Sequence, residues 1–331
     1  MQAPEFWDRK TGGFLPSLLR PIGCVVSGLA ALRQKRATPF KASVPIICVG
    51  NLVAGGAGKT PVALDLVARL KAKNIVVHVV MLGYGGTELG PTLVDPDVHD
   101  SIKVGDEALL LTRVAPTWVS EDRKAGVLSA IHAGAEIIVL DDGFQNPSVH
   151  KDLSLLVVDG GYGFGNGRVM PAGPLRETTK AGFERTDAVI LLGADEADVW
   201  GRVKRSARKD LPILRAHIRP TKDAQALNGK EIYAFAGIGR PQKFFDTLNH
   251  IGCKLVGSKS FDDHHPYSQT DLENIIEAAA GATIVTTEKD LVRIPEAFQN
   301  QMQAVDITLR WKEHQAIDSL LSKVMKNDPQ G

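Results

Sequence analysis

Six consecutive residues, Gly55-Gly56-Ala57-Gly58-Lys59-Thr60, constrain this chain more than any other segment. They follow a β-branched run, Val44-Pro45-Ile46-Ile47-Cys48-Val49, and precede a stretch from Pro61 to Lys71 in which Val62, Leu66 and Leu70 recur at helical spacing. Strand, glycine-rich loop and helix in that order are the setting of a phosphate-binding P-loop. Glycines let successive backbone N–H groups turn inward around phosphate oxygens, and the following helix points the positive end of its dipole at them. In such a loop Lys59 bridges the terminal phosphates of ATP and the Thr60 hydroxyl reaches Mg²⁺. The usual pattern, G-x-x-x-x-G-K-[ST], has glycine where this chain has Val53, and Gly55 and Gly56 are expected to compensate.

The alternation continues beyond the loop. Apolar strands are expected at 75–82, 117–120, 136–140, 153–158 and 188–192, with helices at 106–113 and 123–133 between them. Continuous apolar strands separated by helices predict an α/β fold of the P-loop NTPase type, a parallel sheet covered by helices on both faces. A charged helical stretch at about 195–210 and an extended connector at 212–219 follow. The alternation then restarts from Glu231, which predicts a second, smaller α/β domain. The expected organisation is an N-terminal helical segment at 1–43, a P-loop domain at 44–210 and a smaller domain at 211–331.

Composition narrows the partners. Hydrophobic residues make up 44% and charged residues 23%, with a formal net charge of +1, so no global field points to nucleic acid. Cys24, Cys48 and Cys253 are odd in number and lack CxxC spacing, which argues against a disulfide framework. The start of the chain has no signal-peptide pattern. The apolar run from Phe14 to Leu32 is interrupted by Pro16, Arg20 and Pro21, leaving about eleven clean residues, short of the ~20 a membrane span needs. Ile22 to Leu32 is apolar almost all round and is followed by Arg33, Lys35, Arg36 and Lys41. That pattern fits an amphiphilic helix at a membrane interface, or a helix packed on the protein's own core.

A P-loop site needs an acid at the end of a nearby strand, and the strand at 136–140 ends in Asp141-Asp142. Alone, such a pair is commonly a cap or a turn; beside Lys59 it reads as a Mg²⁺ site. Gly105-Asp106-Glu107 opens an apolar helix, where Asp106 serves either as a cap or as a base toward an accepting hydroxyl. Asp262-Asp263-His264-His265 lacks zinc-ligand spacing and is a solvated loop or a catalytic one. The Gly/Pro-rich stretch from Gly163 to Glu177 is too long for a simple turn. Thr287-Glu288-Lys289-Asp290 closes a strand of the second unit, at the strand end where open α/β sheets bind ligands.

In their order along the chain these segments resemble the tetraacyldisaccharide 4′-kinase (lipid A 4′-kinase) family. The likeness runs from about Pro39 to Leu291. It rests on Val49-Gly50-Asn51 leading into the loop and Pro61, on Gly83-Tyr84-Gly85-Gly86, Gly105-Asp106-Glu107 and Asp141-Asp142-Gly143-Phe144-Gln145, and on Val158-Asp159-Gly160. It continues through Phe164-Gly165-Asn166-Gly167, Pro171-Ala172-Gly173-Pro174-Leu175-Arg176-Glu177, Ala234-Phe235-Ala236-Gly237-Ile238-Gly239, Asp263-His264-His265 and Thr287-Glu288-Lys289-Asp290. The resemblance implies transfer of the γ-phosphate of ATP to the 4′-hydroxyl of a tetraacylated disaccharide 1-phosphate. It implies a peripheral position on the cytoplasmic face of the bacterial inner membrane, with no protein partner required. It gives Lys59 and Thr60 the phosphate and Mg²⁺ roles and makes Asp141 and Asp142 the metal acids. It makes Asp106 the base, paired with His264 in preference to His265, and adds Tyr84, Glu107 and Glu177 to the nucleotide site. It also favours the membrane reading of the N-terminal helix.

Three positions depart from the family pattern. Met81-Leu82 stands where Ser-Arg is usual before Gly83, so Arg113, Arg123 or Arg176 is expected to replace the missing guanidinium, or turnover to fall. Asn146 stands for a histidine and Ala108 for a proline. Two other readings compete with the lipid kinase: a P-loop ATPase switch acting on a protein partner, and a family member of low activity.

Overall fold

The β-branched run before the glycine-rich loop becomes the centre of a nine-stranded sheet. A computed structural model describes residues 4–8 and 13–326. The strands are β1 (Ile46–Gly50), β2 (Val77–Met81), β3 (Thr92–Leu93), β4 (Thr117–Val119), β5 (Ile137–Asp141), β6 (Leu153–Asp159) and β7 (Ala188–Leu192). They continue with β8 (Ile213–Pro220), β9 (Glu231–Ala236), β10 (Lys254–Ser260), β11 (Thr283–Thr287), β12 (Gln303–Val305) and β13 (Ile307–Trp311). The large sheet has the order β13-β8-β7-β6-β1-β5-β2-β4-β3, parallel except at its two edges, where β3 and β13 run antiparallel to their neighbours. Its central strands are buried on both faces, as their unbroken apolar runs require. Helix α2 (Lys59–Lys71) turns Val62, Leu66 and Leu70 onto one face of it. A second cluster around Phe144, Phe183 and Leu140 fills the other face.

A four-stranded parallel sheet, β10-β9-β11-β12, forms the smaller lobe. Expectation and structure part at its edges. Residues 212–219, read as a connector, are β8, paired with β7 in the large sheet. The chain returns to that sheet as β13, antiparallel to β8, and ends in the helix His314–Lys326. A break at 210/211 therefore precedes a strand of the large sheet, and the smaller lobe is an insertion between β8 and β13. Its two connections lie side by side, with the Thr221 N–H donating to the Asp306 carbonyl at 3.0 Å. Only Val199–Ser206 of the expected helix at 195–210 is helical.

The N-terminal helix also differs from expectation. It runs without interruption from Phe14 to Arg36 (α1), 23 residues, and is long and apolar enough to cross a membrane by length and composition. Pro16 falls in the first turn, where a missing N–H costs nothing, and Pro21 is carried inside the helix. Pro16 and Gly23 are its buried residues, while Phe14, Leu18, Ile22, Val25, Leu29 and Leu32 form an exposed apolar stripe. Gly23 faces the Gly/Pro-rich strap: a Cβ there would lie 2.8 Å from the Val169 carbonyl oxygen. Gln34 donates to the Gln145 carbonyl at 2.9 Å, fixing the other end of the helix.

Candidate active site

The loop leaves the carboxyl end of β1 between β5 and β6, the crevice position that open α/β sheets use for ligands. Gly55 has φ +102° and lies with Gly56 exposed and with open space where a side chain would be. Gly58 caps α2 in the left-handed region, and a Cβ there would lie 2.5 Å from Leu192 Cδ1. Lys59 and Thr60 begin α2, both buried. Ala57 is buried beneath the turn. Val53 forms an antiparallel bridge with Leu175, and the Ala54 N–H donates to the Pro174 carbonyl at 2.8 Å. The position where the P-loop pattern has glycine is here stitched to the strap, and valine suits an extended bridge.

Asp141 ends β5 opposite Val49, one strand from the loop. It is fully buried; one carboxylate oxygen accepts from the Asp142 N–H at 3.0 Å and the other, Oδ2, has no partner. Burial, with the Glu107 charge adding to it, pushes its pKa up to about 7. Asp142 is held in the opposite state. Burial raises its pKa, but the Lys59 and Arg176 charges outweigh that and hold it below the ordinary range. Lys59 Nζ stands 3.7 Å from it, and one Arg176 Nη1 donates to both its oxygens at 3.0 and 3.1 Å. An orphaned buried carboxylate oxygen beside two further acids, Glu107 and Asp142, fits a divalent cation, because a cation would satisfy the oxygen and return the acid to its charged form. Thr60, Asp141 and Asp142 are the residues that could hold it.

Across the loop, Asp106 and Glu107 open the helix Asp106–Thr112 and meet the smaller lobe. Glu107 accepts from Thr60 Oγ1 at 3.3 Å and from Lys289 Nζ at 2.7 Å. Asp106, 3% exposed, accepts from its neighbour's N–H at 2.8 Å, pairs with His264 Nδ1 at 3.0 Å and lies 3.5 Å from Arg293 Nε. Burial alone would raise its pKa; the His264 hydrogen bond and the Lys289, His264 and Arg293 charges bring it below the ordinary value. That same hydrogen bond raises the His264 pKa against the opposing effect of burial. The Tyr84 ring sits 5.7 Å from the His264 ring. His265 turns the other way, to Asp271 at 3.2 Å, so it is His264 that meets Asp106. Among the described residues no group of three His, Cys, Asp or Glu is arranged to hold a metal by itself.

Other expected residues lie further out. Both oxygens of Glu177 are taken by Arg185, at 2.8 and 2.9 Å, and one by Gln145 at 3.2 Å. Gln145 also donates to the Asn51 carbonyl and accepts from Arg176, so Glu177 joins the site through this chain of bonds. Asn146 caps its own turn through Ser148. Leu82 is half-exposed at the end of β2. Of the arginines expected to replace a guanidinium there, Arg113 pairs with Glu288 and Arg123 donates to the Ser120 carbonyl, leaving Arg176 as the one gripping a metal acid. Sequence reasoning did not single out Arg293 or the cross-cleft role of Lys289. Lys289 lies in the strand-end motif, whereas Arg293 has no motif of its own.

The fold and the site define a two-lobed P-loop phosphotransferase, with a nucleotide loop on one lobe and an acid–histidine pair made by both. The description "Tetraacyldisaccharide-1-P 4'-kinase" fits residues 15–326, and the chain belongs to this family. The tetraacyldisaccharide 4′-kinase of Rhodospirillum rubrum is 46% identical over 327 residues, 98% of each chain. That of Gluconacetobacter diazotrophicus is 49% identical over 323 residues, 97% of each. Among solved structures, the "apo" form of LpxK from Aquifex aeolicus in complex with ATP matches with a TM-score of 0.77 and 26% identity, over 94% of this chain and 100% of that one.

Proposed function

We propose that this chain transfers the γ-phosphate of ATP to the 4′-hydroxyl of a tetraacylated disaccharide 1-phosphate, working as a peripheral protein on the cytoplasmic face of the bacterial inner membrane. The observation that carries this reading is the Asp106–His264 pair standing beside Glu107, whose carboxylate contacts Thr60 of the P-loop. A base one residue from the loop's own hydrogen-bond network is where an acceptor hydroxyl must sit. The hydroxyl oxygen attacks the γ-phosphorus, the bond from that phosphorus to the bridging oxygen of ADP breaks, and the proton passes to the Asp106–His264 pair. Loop amides and Lys59 bind the phosphates; Thr60, Asp141 and Asp142 would hold Mg²⁺, which supplies charge neutralisation when bound. Lys289 and Arg293 orient Glu107 and Asp106 from the smaller lobe.

The lipid acceptor is supported by α1, whose apolar stripe faces away from the protein and whose last turn carries Arg33, Lys35 and Arg36. Apolar burial plus attraction of cations to anionic headgroups would seat it on a membrane. The test supplies γ-labelled ATP and tetraacyldisaccharide 1-phosphate in detergent micelles. Label should appear in the lipid and vanish in Lys59→Ala. Release of free phosphate alone, with or without lipid, would favour an ATPase switch and sink the kinase reading.

A further inference from the structure

A second polar junction between the lobes lies on the side of the P-loop away from Asp141. Asp159 ends β6 in register with Leu192, and Leu192 packs against Gly58 of the loop. Its side chain is largely buried and one oxygen receives two cations from the smaller lobe: Arg240 Nη1 at 2.7 Å and Lys243 Nζ at 2.5 Å. Its other oxygen accepts from the Gly161 N–H at 2.9 Å. The Arg240 guanidinium also lies over Tyr162, its carbon 4.1 Å from the ring centre. The residue before it, Gly239, is already against the P-loop, since a Cβ there would lie 3.9 Å from the Gly56 nitrogen.

These positions fit a ligand other than Asp159. Gly56 N is one of the amides that a P-loop turns toward phosphate. Gly239 lies near that amide, and an arginine one residue further on has the side-chain length to approach an oxygen held by it. A polyphosphate presents more negative charge than one carboxylate and matches the guanidinium fork equally well. Resting on the ATP-dependent reading above, we propose that Arg240 and Lys243 are phosphate ligands donated by the smaller lobe, and that Asp159 holds them when no nucleotide is present. On ATP binding both leave Asp159 for the terminal phosphate oxygens. No bond is made or broken in this exchange beyond hydrogen bonds and ion pairs. Arg240 is then a catalytic residue, because developing charge on the transferred phosphoryl group is what a second-lobe arginine stabilises.

The exchange makes a prediction of sign. Removing a ligand weakens ATP binding; removing the group that competes for it strengthens binding. Equilibrium titration with Mg-ATP, without lipid, should therefore show Arg240→Ala loosened about tenfold or more. Asp159→Asn should be tightened severalfold, and Arg240→Lys should lie between Arg240→Ala and the wild type. ADP should be affected less than ATP by all three. Matching thermal melts exclude misfolding, and Lys243→Ala gives an independent loosening if Arg240→Ala does not fold. If Asp159 is a structural strut, Asp159→Asn and Arg240→Ala weaken ATP in the same direction, or leave it unchanged, and the proposal is overturned. Wild-type protein that fails to bind ATP, or Lys59→Ala that binds like wild type, overturns the kinase reading and this inference together. Loss in Lys59→Ala with same-sign effects at Asp159 and Arg240 overturns this inference alone.

Discussion

The two rims of the cleft are built on opposite plans. The large-lobe rim is backbone and acid: loop amides, then Asp106, Glu107, Asp141, Asp142 and Asp159 at strand ends and a helix start. The small-lobe rim is side chain and cation: Arg240, Lys243, His264, Lys289 and Arg293. The ion pairs named above across the cleft join an acid of the first to a base of the second; Arg113 with Glu288 is the reverse case. A rim of amides can recognise phosphate unaided, because its geometry is fixed by φ and ψ. A rim of long cationic side chains needs something to hold it, and in this structure the acids of the other lobe do so. The difference teaches that the large lobe offers a frame fixed by its backbone, whereas the smaller lobe offers cations whose placement depends on the acids opposite.

That division is broken most severely at Lys59. Lys59→Ala should lower phosphoryl transfer about 10²–10³-fold, the scale for one electrostatic stabiliser of a transition state, with the melting temperature little changed. Next comes the one pair to which both rims contribute an essential member. Asp106→Asn should lower kcat by roughly 10²-fold, the lower end of what general-base assistance supplies. The same variant tests the electrostatics. The raised His264 pKa means its charged form is favoured in the folded protein, so this contribution to stability is full below the unfolded value of 6.5 and lost as pH rises through the folded one. The lowered Asp106 pKa contributes above 3.8 and is lost as pH falls through its folded value. An NMR titration of the His264 ring should give a midpoint above 6.5 in the wild type and a lower one in Asp106→Asn; an unchanged midpoint would show that the pair does not form.

Lys289→Met sharpens the comparison further. It removes the cation from Glu107, whose depressed pKa reflects Lys289 and Lys59 outweighing burial. A partly buried carboxylate left without that partner should cost about 1–3 kcal/mol. Chemical denaturation should read that loss, and ATP affinity should change less than in Lys59→Ala. The smallest effect on the catalytic parts is expected from α1. Val25→Glu with Leu29→Glu should abolish sedimentation with anionic vesicles while leaving stability within about 0.5 kcal/mol and ATP binding unaltered. If ATP binding fell in step with vesicle binding, α1 would belong to the nucleotide rim instead.

The same contrast explains what could be read from residues alone. The large-lobe rim follows local rules: a glycine loop between strand and helix, acids after an apolar run. Asp141 and Lys59 therefore announce themselves by spacing. The small-lobe rim does so only in part: the Asp262–His265 cluster and the strand-end motif at Lys289 stand out, whereas Arg240 and Arg293 are placed by folding that brings together residues far apart in the chain. Arg293 meets Asp106 only because the insertion between β8 and β13 folds back over the loop. The boundary at 210 misplaces β8 for a related reason: Ile213 to Pro220 alternates buried and exposed positions toward an edge, and without its partner β13 it reads as a connector. The helix at the start was expected to be short because its prolines were weighed as breaks, yet Pro16 sits in a turn that has no bond to lose.

The bridge between Val53 and Leu175 has a mechanical consequence. Leu175 bridges Val169 in turn, and Val169 is the residue on which Gly23 of α1 rests. Loop, strap and helix are thus coupled in series, from the glycine-rich loop to the apolar stripe that faces outward. On the proposed membrane reading, a helix seated in a lipid surface would act as a depth gauge: how far the stripe sinks would fix how high the P-loop stands above the headgroups, and hence which part of a lipid molecule could meet it.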